Sequence, residues 1–227
     1  MSANIGVVVF PGTNCEQDVA RAVALVGGTA EMVWHTETDL DRFDGVVLPG
    51  GFAHGDYLRT GALAGHSPVM SAVKKFAQSG GPVVGICNGF QVLCEAGLLD
   101  GALQKNAGLS FVCQPVELQV AAVDTPLTLR FDVGDVVNVP INHFEGNFVC
   151  DEQTLQMLED QHRVVVRYKD NPNGSVGDIA GICNEGRNVV GLMPHPERAM
   201  EAILGSDDGR EMFRSILDFA SSERSGA

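Results

Sequence analysis

The stretch Gly81-Pro-Val-Val-Gly-Ile-Cys-Asn-Gly-Phe-Gln91 decides how the chain is read. It has the form of a short buried strand, a sharp Gly-Cys-Asn-Gly turn and the first turn of a helix. That is the nucleophile-elbow pattern, glycine–x–nucleophile–x–glycine, filled here as Gly85-Ile86-Cys87-Asn88-Gly89. The flanking glycines permit a strained turn and let the following helix pack closely. A thiol placed there sits at a helix N-terminus, where free N–H groups and the helix dipole favour the thiolate. The competing reading is a buried structural cysteine at a strand end.

A partner for such a thiol lies far downstream. Asn188–Met193 is an apolar, strand-like run that leads into Pro194-His195-Pro196-Glu197. The prolines stiffen this segment and keep a regular helix from starting at once. Two residues apart in extended chain, His195 and Glu197 are expected to leave the same face. A cysteine nucleophile needs an imidazole to manage its proton, and the imidazole needs a carboxylate to fix its tautomer. Taken alone, Pro-His-Pro-Glu also reads as a solvated turn. The elbow and the chain order favour a Cys87–His195–Glu197 triad.

Around these segments, strand-like and helical patterns alternate. Ile5–Phe10 is a continuous apolar run of the kind a parallel strand buries on both faces. A helix is expected over 15–26, strands over 31–35 and 44–48, a Gly-rich loop over 52–65 and helices over 67–78 and 88–96. This alternation predicts a doubly wound, mostly parallel α/β sheet flanked by helices, flavodoxin-like in outline. Ligands on such sheets bind beyond the carboxyl ends of the strands, where Cys87 and the Pro49-Gly50-Gly51 turn both fall. From Val112 to Val120 the period changes to two, predicting added antiparallel strands. More strands are expected near 136–141, 147–150, 164–168 and 179–184, and a short helix over 152–158. A last helix is expected to be capped by Ser206, with an apolar face of Met212, Phe213, Ile216, Leu217 and Phe219. The whole of 1–227 reads as one domain, with 221–227 as a frayed tail.

The chain has 227 residues, 44% of them hydrophobic, and a formal net charge of −14. Such acidity argues against a nucleic-acid binder or a protein of anionic membranes. Six cysteines stand singly, with no CxxC pair and no zinc-like spacing, so thiols in a reducing, cytoplasmic setting are expected and no metal. Neither a signal peptide nor an apolar run of membrane length is evident.

Cys87-Asn-Gly-Phe-Gln91 resembles the C-x-G-x-Q signature of the class I, triad glutamine amidotransferases, and Pro194-His-Pro-Glu197 resembles their triad segment. Val9–Cys15, Trp34–Thr38, Pro49–Arg59 and Asn171–Ser175 narrow the resemblance to the glutaminase subunits of phosphoribosylformylglycinamidine synthase, over about residues 4–219. The resemblance implies hydrolysis of glutamine to glutamate and ammonia through a Cys87 thioester. It further implies delivery of the ammonia to a large synthetase subunit, with a small bridging subunit, in purine biosynthesis. ATP and magnesium would belong to the synthetase, and no cofactor to this chain. By the same resemblance, the backbone N–H groups of Gly51 and Asn88 form the oxyanion hole. Gln91 and the Asn142-His143-Phe144 segment would hold glutamine. The commoner pattern there is His-Gly-Glu, so Phe144 is a departure that puts the local backbone in question.

Other candidates read more plainly. Cys15 is structural or near the site, Cys94 is core, and Cys113, Cys150 and Cys183 are packing residues of strands. His35 is expected in a hydrogen-bonded structural role, while His66 and His162 are surface residues. His54 and Asp56, in the long loop, suggest partner contact or closure of the site. Arg59 is either a partner contact or a loop salt bridge. Two further functions stay open from the residues alone: another cysteine hydrolase on the same fold, peptidase- or deglycase-like, and a non-catalytic scaffold subunit.

Overall fold

A computed structural model describes residues 2–223 of the chain, with side chains described to residue 222. Its frame begins with β1 (Asn4–Val9), α1 (Glu16–Leu25), β2 (Thr29–Trp34) and β3 (Gly45–Leu48). After a loop containing two 3-10 turns come α2 (Pro68–Gln78), β4 (Val83–Ile86) and α3 (Asn88–Glu95). The second half supplies β5 (Ala102–Gln104), β6 (Val112–Val120), β7 (Val136–His143), β8 (Asn147–Val149) and α4 (Glu152–Asp160). It closes with β9 (Val164–Tyr168), β10 (Ile179–Cys183), β11 (Val189–Leu192) and α5 (Gly209–Glu223).

Nine strands form one sheet in the order β2-β1-β3-β4-β11-β10-β9-β6-β7, and β5 pairs with β8 separately. The first five strands pair in parallel; from β11 outward to β7 the pairing is antiparallel. The composition of each part follows its surroundings. All four residues of β3, β4 and β11 are buried, as strands covered by helices on both faces require. In β6 burial alternates from Val116 to Val120, as a strand with one solvated face requires.

This topology positions the site. Strands β1, β3, β4 and β11 lie side by side and run the same way, so their carboxyl ends open on one edge. Asn14 and Cys15 follow β1, Gly50 and Gly51 follow β3, Cys87 follows β4, and His195 follows β11. The glycines of the elbow are required by close approach. A Cβ on Gly89 would overlap the Leu48 carbonyl oxygen, and one on Gly85 would lie 2.7 Å from the Gly89 carbonyl carbon.

Some expectations are revised. Ser206 does not cap the last helix at its first turn: its hydroxyl accepts the Asp208 N–H (3.1 Å) within the preceding turn, and α5 starts at Gly209. Phe219 is half-buried, and Ala220 takes its expected place in the core. Of the expected frayed tail, residues 221–223 continue α5, and 224–227 lie outside the described residues. Cys113 is exposed, because it falls on the solvated face of β6; Cys183 is buried.

Gly89→Ala is expected to cost more than about 3 kcal/mol in chemical denaturation, because backbone must move to admit the methyl group. Gly27→Ala, at φ 90° with open space around it, is expected to cost about 1 kcal/mol. Equal costs would show that the close approach at the elbow is not a constraint.

Candidate active site

Cys87 stands at the junction of β4 and α3 with φ 52° and ψ −106°, a region a non-glycine residue enters only under constraint. Its N–H donates to the Leu192 carbonyl (2.7 Å), which ties the elbow to the strand that carries His195. The thiol is nearly buried and faces the Asn142 carbonyl oxygen at 3.9 Å.

His195 is 1% exposed, and its N–H donates to the Pro140 carbonyl (2.8 Å), so β7 also fixes its place. The His195–Glu197 pair is not in extended chain as expected. Pro196–Arg198 forms a 3-10 turn that brings Glu197 Oε1 to 2.6 Å from His195 Nδ1. The pairing forecast from the sequence therefore forms, by a tighter local route. With Nδ1 engaged, Nε2 is buried without a hydrogen-bond partner among the described residues. Burial opposes the imidazolium, but the Glu197 carboxylate and the neighbouring Cys87 and Cys15 sulfurs carry the His195 pKa well above its ordinary 6.5.

Gly51 and Cys87 line one pocket with Gln91, Asn142, His143 and Phe144. Neither the Gly51 N–H nor the Asn88 N–H is taken up by a backbone acceptor among the described residues. The Asn88 side chain is a hub: its Oδ1 accepts the Ala53 N–H (3.0 Å), and its Nδ2 donates to Gln91 Oε1 (2.8 Å) and Asp56 Oδ1 (3.1 Å). Gln91 Nε2 donates to the Glu145 carbonyl (2.5 Å), so the residue expected to hold substrate also buttresses the opposite wall.

That wall is set by two asparagines, Asn106, which no motif had marked, and Asn173. Asn106 Nδ2 donates to the carbonyls of His143 (3.0 Å) and Ser110 (2.9 Å), while its Oδ1 receives the Gly146 N–H and His143 Nδ1, each at 3.1 Å. This pattern puts the neutral imidazole's proton on Nδ1. Burial, with the nearby His195, pushes the His143 pKa down to about 4. Asn173, from the Asn171–Ser175 segment, donates to the Gly146 carbonyl (2.8 Å) from behind. Phe144 is absent from the residues with positive φ, so this backbone does not demand the glycine of the commoner pattern. Its ring faces Lys105 Nζ at 5.8 Å.

The loop residues divide. Asp56 enters the pocket; His54 does not, and its Nε2 pairs with Ser67 Oγ (3.1 Å). Arg59 forms a two-pronged salt bridge with Glu95, both bonds 2.6 Å. His35 is held by ring packing edge-on to Trp34 and His54, and its buried Nδ1 has no partner among the described residues. Cys15 and Arg198 also line the pocket, with an Arg198 nitrogen 3.1 Å from Cys15 Sγ. Arg198 directly follows Glu197 and could have been suspected from that; Asn106 carried no signal.

Ligand atoms of Cys15, His195 and Glu197 lie within 4.8 Å of one another. The set is poorly disposed to a cation, since Glu197 is committed to His195 and a guanidinium sits on Cys15.

An elbow thiol and a carboxylate-oriented imidazole at the carboxyl edge of a parallel sheet are the arrangement of a triad-type cysteine hydrolase, and the chain's relatives say which kind. The profile of the CobB/CobQ-like glutamine amidotransferase domain matches residues 2–215. A phosphoribosylformylglycinamidine synthase subunit PurQ of Rubrobacter xylanophilus is 54% identical over 213 residues, covering 94% of this chain and 97% of that one. The subunit PurQ of Methanosarcina barkeri is 52% identical over 225 residues, with 95% and 97% covered. A solved structure of PurLQS from Thermotoga maritima superposes with a TM-score of 0.89 at 42% identity, covering 96% of this chain and 99% of that chain. The chain belongs to the PurQ family of glutamine amidotransferases. The peptidase- or deglycase-like alternative is thereby set aside.

In an NMR titration, His195 is expected to keep both ring protons well above pH 6.5, while His143 stays neutral down to about pH 4. Glu197→Gln should move the His195 transition down, because the carboxylate that stabilises the imidazolium is gone. An unmoved transition would contradict the role given to Glu197 here.

Proposed function

We propose that this chain is the glutaminase subunit of a phosphoribosylformylglycinamidine synthase, acting as one amidotransferase domain. Cys87 Sγ attacks the side-chain carboxamide carbon of glutamine. The oxyanion that forms is met by the N–H groups of Gly51 and Asn88, neither of which is taken up by a backbone acceptor among the described residues. His195 Nε2 gives a proton to the departing nitrogen, so ammonia leaves and a γ-glutamyl thioester remains on Cys87. Water, losing a proton to His195, then cleaves the thioester and releases glutamate. Glu197 holds the imidazole through Nδ1 in both halves. The observation that carries this reading is the strained Cys87 turn beside a His195 whose Nδ1 is locked and whose Nε2 is free.

The ammonia is delivered to a large synthetase subunit, which uses ATP and magnesium to make formylglycinamidine ribonucleotide, with a small subunit bridging the two. Phe52 and Phe111, which line the pocket, are exposed, and in the loop that carries Asp56, Tyr57 and Leu58 are 73% and 86% exposed. Apolar side chains at that density suit a face that a partner covers. His54 and Asp56, with Leu58, hold positive φ in the same loop, which suits a segment whose closure a partner controls. Among the described residues no helix is long and apolar enough to cross a membrane.

Glutamate release is to be measured for the chain alone and with the synthetase, formylglycinamide ribonucleotide and ATP, where a sharp rise only in the mixture is expected. In the mixture, Cys87→Ala should lower glutamine-dependent synthesis by at least on the order of 10³-fold while free ammonia still supports it. Undiminished use of glutamine by that variant would overturn the assignment of the nucleophile.

A further inference from the structure

The pocket that holds Cys87 also holds two acidic side chains that no step of the hydrolysis uses, Asp56 and Glu145. They enter from different elements, Asp56 from the loop after β3 and Glu145 from the turn between β7 and β8, and their charges repel across the pocket. Among the described residues neither is in an ion pair. Of the cations nearby, Arg59 is paired with Glu95, Arg198 with Cys15 and Asp18 and His195 with Glu197, while Lys105 faces the ring of Phe144. Asp56 is held rather than free, since Asn88 Nδ2 donates to its Oδ1 and the Gly61 N–H reaches its carboxylate. Asp56 itself sits at φ 52°, so the surroundings hold this carboxylate in place against backbone strain.

Burial first, and then Glu145, push the Asp56 pKa up to about 6 against those hydrogen bonds. The pocket thus keeps a carboxylate that lacks a countercharge. A second, independent feature has the same polarity. His143, 4% exposed and also lining the pocket, carries its proton on Nδ1, so its buried Nε2 is an unpartnered acceptor. A surface rich in acceptors beside a nucleophile suits a substrate that brings hydrogen-bond donors and a positive charge.

We propose that Asp56, seconded by Glu145, binds the α-ammonium group of glutamine. This rests on the reading of the chain as a glutaminase. The carboxamide lies at Cys87, and the short aliphatic chain of the substrate carries the ammonium to the far wall. Asn88 links the two ends: its backbone N–H faces the oxyanion and its side chain orients Asp56. An amide without the amino group gains nothing from this wall and leaves the half-buried Asp56 carboxylate unpaired. Asp56 is in this sense a specificity residue, selecting amino-acid amides over simple carboxamides.

The test compares glutamine with its deamino analogue, 5-amino-5-oxopentanoate, as nitrogen donors for the assembled synthase with its nucleotide substrate and ATP. In the wild type kcat/KM should favour glutamine strongly. Asp56→Asn should lower kcat/KM for glutamine by about 10- to 100-fold, the range of a charge-assisted hydrogen bond, and leave the analogue within about threefold. Glu145→Gln should shift the same ratio by less. Alkylation of Cys87 by iodoacetamide, which has no ammonium group, should proceed at the wild-type rate in both variants and shows that the elbow is intact. Equal losses on both donors, or no loss on glutamine, would overturn the proposal. Absence of glutamine hydrolysis by the wild-type complex would instead overturn the glutaminase reading on which it rests. Should Asp56→Asn fail to fold, Asp56→Glu provides the same comparison, with selectivity for glutamine retained in part.

Discussion

The backbone of Cys87 is forced into a conformation that only its neighbours can hold, and the rest of the site depends on that constraint. At φ 52° and ψ −106° the residue neither extends β4 nor enters α3. The turn is held because its N–H is bonded to the end of β11 and because Gly89 lets α3 press against β3. A larger residue at Gly89 would push the helix off the sheet and move the thiol away from His195. The strain costs on the order of 1–3 kcal/mol, which the fully buried strands on either side can absorb.

Parallel pairing of β1, β3, β4 and β11 converts this local turn into a site. Because those strands end on one edge, residues far apart in the chain meet without any long loop having to be ordered for the purpose. Polar side chains then do the fine placement. Asn88 joins the Ala53–Asp56 turn to Gln91, and Gln91 reaches the Glu145 carbonyl. Asn106 and Asn173 hold the His143–Gly146 turn from behind. In a buried setting each of these bonds strengthens the others, and the loss of one leaves its partners unsatisfied. The walls of the pocket are therefore rigid where they touch the substrate's reacting end.

Much of this was legible in the residues. The apolar runs and their punctuation by glycine gave the parallel strands to within one or two positions, and the period-two pattern of 112–120 gave the antiparallel extension. Cys87, His195 and Glu197 were visible because a motif fixes a residue type to a backbone shape. The 3-10 turn at Pro196–Arg198 was not, since two residues apart in extended chain and in a tight turn present the same spacing. Asn106 and the inward placement of Asp56 were hidden for a different reason: their roles come from long-range contacts that no local pattern encodes. The exposure of Cys113 follows from the strand's register, which the alternation of 112–120 already contained. Phe144 stood out against the family pattern, and the local backbone turns out to have no need of glycine.

The account requires that one particular thiol of the two in the pocket carries the chemistry. The most direct measurement is mapping, by mass spectrometry of proteolytic peptides, of the cysteine modified by a diazoketone analogue of glutamine in the assembled synthase. Modification confined to Cys87, and suppressed by excess glutamine, is the result this account predicts. Modification of Cys15 in its place, with Cys87 left free, would contradict it.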